Sequence, residues 1–150
     1  MMTSSLLIDT LNELKITRLT IVPSLLRIVL TTLRLENRKL HHLGLLVASG
    51  ETLTYELCES FFELLPDCTL ANYYGSTEVM ADVTTADFKS MAEVNSRSID
   101  GRVSIGSLVD NTTLILYGID EHGVGELVFT GANVTSGSDS IHQIEFTFVY

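Results

Sequence analysis

The 150-residue sequence has little of several features, and each shortage excludes a class of protein. It contains only two cysteines, Cys58 and Cys68, which are too few for a disulfide framework or a cysteine-rich zinc site. We expect both to be small core residues in a reducing compartment. No apolar run approaches the roughly eighteen residues of a membrane-spanning helix, and the N-terminus lacks the pattern of a signal peptide. We therefore expect a soluble, unsecreted protein, with a cytoplasmic location as the default.

Basic residues are also scarce. Nine Lys and Arg stand against nineteen Asp and Glu, which gives a formal net charge of −10. A surface of this charge repels a polyphosphate backbone unless a basic patch is segregated, so nucleic-acid binding is a poor first hypothesis. The chain does have 45% hydrophobic and 19% charged residues, enough to bury the core of a single folded domain.

Several common catalytic motifs are missing. No two of the ten glycines are four residues apart, so there is no G-x-S-x-G nucleophile elbow. Glycine pairs five apart are not followed by the lysine of a phosphate-binding P-loop, and no G-x-G-x-x-G occurs. The four histidines form no H-E-x-x-H motif, and we interpret His41-His42 as a solvated pair rather than a metal site.

The first half of the chain alternates helical and strand-like hydrophobic periods, which is typical of β-α-β-α units on a parallel sheet. Strands are predicted over residues 16–22, 43–48 and 68–74. Helices are predicted around Leu7, Leu11 and Leu14, over residues 25–35, and around Leu53, Leu57, Phe61, Leu64 and Leu65. Ser24 is expected to cap the second of these helices, which should be mostly buried apart from a narrow polar stripe.

After residue 78 the pattern changes. Residues 79–85 predict another strand, whereas residues 86–97 are polar and weakly periodic, so we expect an irregular loop there. Strand-like runs at 112–119 and 125–130 are joined by Asp120-Glu121-His122-Gly123, a turn sequence suited to a hairpin. The predicted fold class is α/β, with a parallel core over residues 1–97, antiparallel β segments over 98–137, and a weakly patterned tail over 138–150.

Two glycine-containing turns follow two successive predicted strands, Ser49-Gly50-Glu51 and Tyr74-Gly75-Ser76-Thr77-Glu78. In open α/β sheets, ligands bind outside the carboxyl ends of parallel strands, so these turns define a candidate cleft. Its hydroxyl, carboxylate and aromatic groups would suit a phosphate, a cation and a flat base, which together suit a nucleotide. The alternative is an ordinary turn at Gly75-Ser76 with the tyrosines in the core.

The residues of these turns carry a resemblance. Asn72-Tyr73-Tyr74-Gly75-Ser76-Thr77-Glu78 resembles the N-x-Y-G-[PS]-T-E signature of the adenylate-forming (AMP-binding) ligases, the superfamily of acyl-CoA synthetases and nonribosomal peptide synthetase adenylation domains. Four further matches occur in family order: residues 16–24, residues 48–53 with Ser49 in place of a glycine, residues 105–112, and residues 125–137. The serine variant is most similar to amino-acid-activating enzymes of the β-alanyl-amine (ebony-like) type.

The resemblance implies roles for the matched residues. Tyr74 would stack on adenine and Asn72 would bind its amino group, with Gly50, Glu51, Gly75 and Ser76 on the nucleotide side of the cleft. Thr77 would contact the phosphate and Glu78 would hold Mg²⁺, so these two are the catalytic candidates. The pocket for the acid would be lined by Ser24, Leu46, Ala48, Tyr73, Ala81 and Asp82, with Tyr73 favouring a small acid.

The implied activity is ATP- and Mg²⁺-dependent activation of a small carboxylic or amino acid as acyl-AMP, followed by transfer to a thiol or an amine. The family's phosphate loop, ribose-binding aspartate and catalytic lysine have no counterpart in these 150 residues. We therefore expect a partial adenylation domain that is inactive in isolation. A non-catalytic α/β module that binds a nucleotide or a protein is the alternative. An exposed core surface would favour a protein partner or self-association, with neither a nucleic acid nor a membrane as partner.

Overall fold

The computed structural model of the protein describes residues 3–76, 81–120 and 125–131. The elements in chain order are α1 (Ser4–Glu13), β1 (Arg18–Ile21), α2 (Pro23–Leu35), β2 (Leu45–Ser49), α3 (Tyr55–Leu64), β3 (Thr69–Ser76), β4 (Ala81–Phe88), α4 (Met91–Arg97), β5 (Ser107–Leu108), β6 (Thr112–Tyr117) and β7 (Glu126–Gly131). Five strands form one sheet in the order β1-β2-β3-β4-β5, and β6 and β7 form a second sheet. The first three strands are parallel and the remaining pairs antiparallel, which confirms the predicted α/β class.

The four helices share one hydrophobic core with a single face of the five-stranded sheet. Side chains alternate between the two faces of a strand, so Leu46, Ala48 and Leu70 point to the same face. All three are fully buried and belong to the cluster to which every helix contributes. Val47 and Ala71, on the opposite face, lie outside that cluster of described residues. The core therefore sits between the helices and one face of the sheet.

Helix α2 begins two residues before the predicted start. Pro23 occupies the first helical position, which suits proline because its nitrogen has no hydrogen to leave unpaired there. The residue before it, Val22, is the N-cap and cannot cap with its apolar side chain. Ser24 lies inside the first turn, so the prediction that it caps this helix is wrong.

Parts of two predicted apolar faces are exposed. Leu14 follows the last residue of α1 and is 64% exposed, whereas Ile8, which the pattern did not select, is fully buried. In α2 the predicted polar stripe is exposed, but Ile28 and Leu35 are 54% and 80% exposed as well. The prediction that α2 is mostly buried is therefore wrong, because apolar residues also occupy its outer face.

The prediction of an irregular loop over residues 86–97 is also wrong. Residues 86–88 continue β4, and residues 91–97 form α4. Ser90 caps this helix by accepting a hydrogen bond from the Glu93 N–H, and the Glu93 carboxylate accepts one from the Lys89 N–H at 2.9 Å. Val94 is the buried residue of α4. Capping, rather than hydrophobic periodicity, specifies this helix.

The two cysteines are core residues, as predicted. Cys58 lies on α3 and Cys68 precedes β3, and both are buried and free. Burial raises the pKa of the Cys58 thiol to about 12 and that of Cys68 to about 11, because an apolar environment disfavours the thiolate. Both side chains are therefore neutral at physiological pH.

The predicted hairpin is present as β6 and β7, while its turn at 121–124 and the tail at 138–150 lie outside the described residues. Strand β5, from the segment expected to begin the β-rich part, adds to the first sheet. No helix in the described ranges is long and apolar enough to cross a membrane.

Candidate functional site

Of the two turns predicted to form a cleft, the first follows β2, whereas the prediction of a turn at Tyr74-Gly75-Ser76 is wrong, because these residues continue strand β3; residues 77 and 78 lie outside the described residues. Strands β2 and β3 are parallel neighbours in which Ser49 is in register with Tyr73. The first turn therefore leaves β2 beside the signature residues of β3. Gly50 has a φ of +85°, a left-handed conformation that glycine adopts without the steric cost of a Cβ.

A cleft of about 920 Å³ opens at this edge of the sheet. This volume lies within the range of about 300–1,000 Å³ typical of small-molecule sites. The cleft is lined by five of the predicted nucleotide-side residues and by one predicted pocket residue: Gly50, Glu51, Asn72, Tyr74, Gly75 and Tyr73. Its other walls include residues of the segment 52–56 at the start of α3, residues of the segment 99–106 that precedes β5, and residues of the second sheet.

Asn72, Tyr74 and Thr84 lie on one face of the sheet at the cleft. Asn72 is 5% exposed, and its side-chain Nδ2 donates a hydrogen bond to the Ser104 carbonyl oxygen at 3.1 Å. Tyr74 pairs with Thr84 across β3 and β4. Burial raises the pKa of the Tyr74 phenol to about 12, so this ring is neutral at any physiological pH. The Thr84 hydroxyl is buried and has no hydrogen-bond partner among the described residues.

A β-bulge interrupts the ladder at the signature. Tyr74 pairs with Thr84, whereas Gly75 pairs with Asp82, so Val83 is the extra residue on β4. Bulges bend a strand and redirect its side chains, and they are over-represented beside active sites. Beyond the bulge, the Asp82 carboxylate accepts a hydrogen bond from the Ser49 hydroxyl at 2.8 Å. This contact links the ends of β2 and β4 across the end of β3.

Glu51 connects the first turn to helix α2. Its carboxylate accepts hydrogen bonds from the backbone N–H of Ser24 at 2.8 Å and from the Ser24 hydroxyl at 2.9 Å. The N–H groups of a helix's first turn have no partner inside the helix, and they carry partial positive charge. Glu51 therefore provides the hydrogen-bond acceptor for the first turn of α2 that the apolar side chain of Val22, the N-cap, cannot provide.

The residues predicted to line an acid-binding pocket are not gathered in this cleft. Leu46 and Ala48 are fully buried in the helix-packed core. Ser24 is engaged by Glu51, and Asp82 is engaged by Ser49. Of the six predicted pocket residues, Tyr73 is the one that the described lining includes.

The remaining predicted residues lie at or beyond the ends of β3 and β4. Ser76 and Ala81 pair with each other in the ladder. Thr77 and Glu78, the predicted catalytic residues, lie outside the described residues, and so does the proposed Mg²⁺ contact of Glu78. Within the described ranges, no group of three or more His, Cys, Asp or Glu is arranged to hold a metal ion.

The lining residues that were not selected from the sequence include Arg97, Arg102, Leu114 and Phe129. The guanidinium of Arg97 lies 4.2 Å from the centroid of the Phe88 ring and donates to the Asp87 carbonyl oxygen. The two arginines could have been selected from the sequence by their charge, because they are two of only three basic residues after position 42. Nothing in the sequence singles out Leu114 and Phe129 of the β6–β7 hairpin, since their position depends on how the two sheets pack.

The sequence of the chain matches a known protein family and two curated relatives. Residues 1–138 match the family described as AMP-binding enzyme. The β-alanyl-bioamine nonribosomal peptide synthetase ebony of Drosophila melanogaster is 36% identical over 143 residues, covering 87% of this chain and 16% of the relative. Indigoidine synthase of Dickeya dadantii (strain 3937) is 33% identical, covering 87% of this chain and 9% of the relative.

The chain also has the fold of a solved structure. The crystal structure of IdnL7 superposes with a TM-score of 0.73 at 26% identity, covering 87% of this chain and 27% of that one. The chain thus spans 16% and 9% of the two curated relatives and about a quarter of IdnL7.

Proposed function

This chain belongs to the AMP-binding enzyme family, and we propose that it forms part of an ATP-dependent ligase that activates a small carboxylic or amino acid as acyl-AMP. The resemblance found in the sequence is confirmed at the level of the family. The observation that carries the proposal is the convergence of Gly50, Asn72, Tyr74 and Gly75 on one cleft at the carboxyl ends of β2 and β3. The family match favours this function over the non-catalytic alternative.

The cleft has the chemistry to hold an adenine base. Tyr74 offers a flat, neutral ring for stacking. Because the Asn72 amide nitrogen donates to the Ser104 carbonyl, its amide oxygen is left to accept from the exocyclic amino group of adenine. Guanine carries a carbonyl oxygen at that position, which would face another acceptor. We therefore expect ATP to bind better than GTP.

In the proposed reaction, a carboxylate oxygen of the acid attacks the α-phosphorus of ATP. A new P–O bond forms, the bond to the bridging oxygen breaks, and pyrophosphate leaves. Within the cleft, Arg97 and Arg102 would supply positive charge for the phosphates, and the family roles of Thr77 and Glu78 remain proposals. Bound Mg²⁺ would neutralise further charge on the phosphates.

The substrate class is a second part of the proposal. Tyr73 lines the cleft, and its bulk favours a small acid. The Drosophila relative is named for a β-alanyl group, which supports a small amino acid as the substrate. The acceptor that follows, a thiol or an amine, belongs to the whole enzyme, of which this chain would be one part.

Nucleotide binding tests this proposal. At an ATP concentration 100 times the Kd, binding stabilises the folded state by about 2.7 kcal/mol, which raises the Tm of a chain of this size by roughly 5–10 °C. We expect this shift with ATP and Mg²⁺, a smaller one with GTP, and little or none in Asn72→Ala.

Asn12→Ala is the matched control, because the Asn12 side chain also donates to a backbone carbonyl, that of Lys39, and does not line the cleft. It should keep the full ATP-induced shift even if its own Tm is lower. Absence of a shift in the wild-type chain, or equal shifts in Asn72→Ala and Asn12→Ala, would contradict the proposal.

A further inference from the structure

The β6–β7 hairpin contributes an apolar pair to the cleft. Leu114 and Phe129 are in register across the two strands, and both line the cleft. Alternate residues of β6 face the other way, since Ile115 and Tyr117 are 51% and 64% exposed. One face of the hairpin is therefore turned towards the cleft and the other towards solvent.

The ring of Phe129 lies against the ring of Tyr74. Their centroids are 6.4 Å apart and their planes are tilted by 43°. This separation falls within the range of about 4.5–7 Å at which aromatic pairs attract each other. A base stacked between them would need two contacts of about 3.5 Å each, with all three rings parallel. The observed pair is too close and too tilted for that, so a base does not stack between these two rings.

We propose that Phe129, supported by Leu114, is a positioning residue of the base subsite, which packs behind the Tyr74 ring and holds its opposite face towards the nucleotide. This inference rests on the proposed function, because it assigns the base to Tyr74. Neither apolar side chain can form a hydrogen bond with the ligand. Their contribution is to fix the ring and to exclude water from one side of it.

The environment of Tyr74 agrees with this arrangement. Burial raises its pKa to about 12, which means that water has limited access to the phenol. Thr84, its partner across β3 and β4, has a side chain too small to orient a ring. An aromatic neighbour from a different sheet is therefore well placed to select one ring orientation.

The first test needs no ligand. Nitration of tyrosines by tetranitromethane at about pH 8, resolved by mass spectrometry of the peptides, reports how accessible each phenol is. We expect Phe129→Ala in the full chain to raise the nitration rate of Tyr74, Phe129→Tyr to restore the low rate, and Ile115→Ala to leave it unchanged. Tyr117, which is exposed in the folded protein, serves as the internal reference.

The second test separates the base from the phosphates. We expect Phe129→Ala to raise the Kd for ATP by up to about tenfold, the measured worth of an aromatic pair. The Kd for inorganic tripolyphosphate, which has no base, should stay within a factor of two of the wild-type value. Ile115→Ala, which lies on the solvent face of the same hairpin, should change neither Kd.

The outcomes are distinguishable. If the wild-type chain does not bind ATP, the proposed function fails, and nitration still decides whether Phe129 orders Tyr74. Unchanged nitration of Tyr74 in Phe129→Ala overturns the inference. So does an unchanged Kd for ATP in that variant when wild type binds, or an equal loss of affinity for ATP and tripolyphosphate, which would reflect general destabilisation.

Discussion

At Gly106 both the backbone conformation and a neighbouring strand exclude a larger side chain. Its φ is +85°, and a Cβ there would lie 1.9 Å from the carbonyl oxygen of Thr85. Gly101, in the same segment of the cleft wall, also has a positive φ of +74°, but a Cβ would meet no described atom within 4 Å. Substitution of the two glycines therefore distinguishes the energetic cost of a left-handed backbone conformation from that of a steric clash.

We expect Gly101→Ala to lower the free energy of unfolding by about 1–2 kcal/mol, the cost of a left-handed conformation. Gly106→Ala should lower it by roughly a further 1–3 kcal/mol, because the new methyl group must also displace the backbone of β4. Urea denaturation of both variants measures the difference. Equal losses would mean that the segment 101–106 shifts freely away from β4.

Among the elements, α2 depends on a residue outside its own sequence. The carboxylate of Glu51 accepts two hydrogen bonds from Ser24 in the first turn, where α2 has neither an acidic residue nor a capping side chain. We expect Glu51→Gln to lower the free energy of unfolding by about 1–2 kcal/mol, as the loss of a cap does. Thermal and urea unfolding measure the change.

Glu63→Gln is the matched control for the same helix. Glu63 pairs with Arg34 on the exposed side of α2, and both side chains are more than half exposed. Surface ion pairs contribute about 0–1 kcal/mol, so this variant should stay close to wild type. If the two variants lose equal stability, Glu51 acts as an ordinary surface charge and not as a cap.

The elements also show how far sequence reasoning reaches. Strands β1 and β2 were predicted from short β-branched or apolar runs in their own sequences, and β3 from the strand-like run that follows the end of α3. Helix α4 was missed because it buries only Val94 and therefore shows little hydrophobic periodicity, although its capping pair, Ser90 and Glu93, could be read from the sequence. The bulge at Val83 depends on the register between two strands, which a single sequence does not display.

Some residues of the candidate site could be predicted from the sequence, and others could not. Gly50, Asn72, Tyr74 and Gly75 converge because parallel strands end at one edge of the sheet, a rule that needs only the order of elements. Phe129 was missed because a hairpin from a separate sheet brings it there. Leu46 and Ala48 were expected in a pocket, but both are fully buried where the helices cover the sheet, although Asn72 of the cleft lies on the same face.

For the molecule as a whole, the buried thiols and phenol predict alkaline sensitivity. Cys58, Cys68 and Tyr74 have folded pKa values raised to about 12, 11 and 12, above those of the unfolded chain. Their protons are retained by the folded state and lost by the unfolded state, so stability is full below about pH 8 and falls as pH rises. Urea denaturation at pH 8 and pH 10 should show this loss.

The double variant Cys58→Ala/Cys68→Ala should be less stable at pH 8, because two buried side chains are shortened, but should lose less between pH 8 and pH 10. That smaller slope follows directly from proton linkage. An unchanged slope would show that ionisation of the thiols is not coupled to folding.

The whole molecule also carries apolar surface that its own described residues leave open. Ile28 and Leu35 lie seven residues apart on α2, hence on one side of the helix, and are 54% and 80% exposed. We expect the chain to self-associate with increasing concentration, and Ile28→Gln/Leu35→Gln to reduce that association. Light scattering coupled to size-exclusion chromatography measures both. A wild-type monomer at every concentration would contradict this expectation.

The contact between Tyr74 and Phe129 can form only after the ribosome has synthesised Phe129. The two residues are about 55 positions apart, and a ribosome adding about 5–20 residues per second needs about 3–11 s to cover that distance. Strands β1 to β3 and their helices are complete before the wall of the cleft has been synthesised. The proposed nucleotide site is therefore completed after the core has been synthesised, and a bound nucleotide would stabilise the finished fold without assisting the formation of β1 to β3.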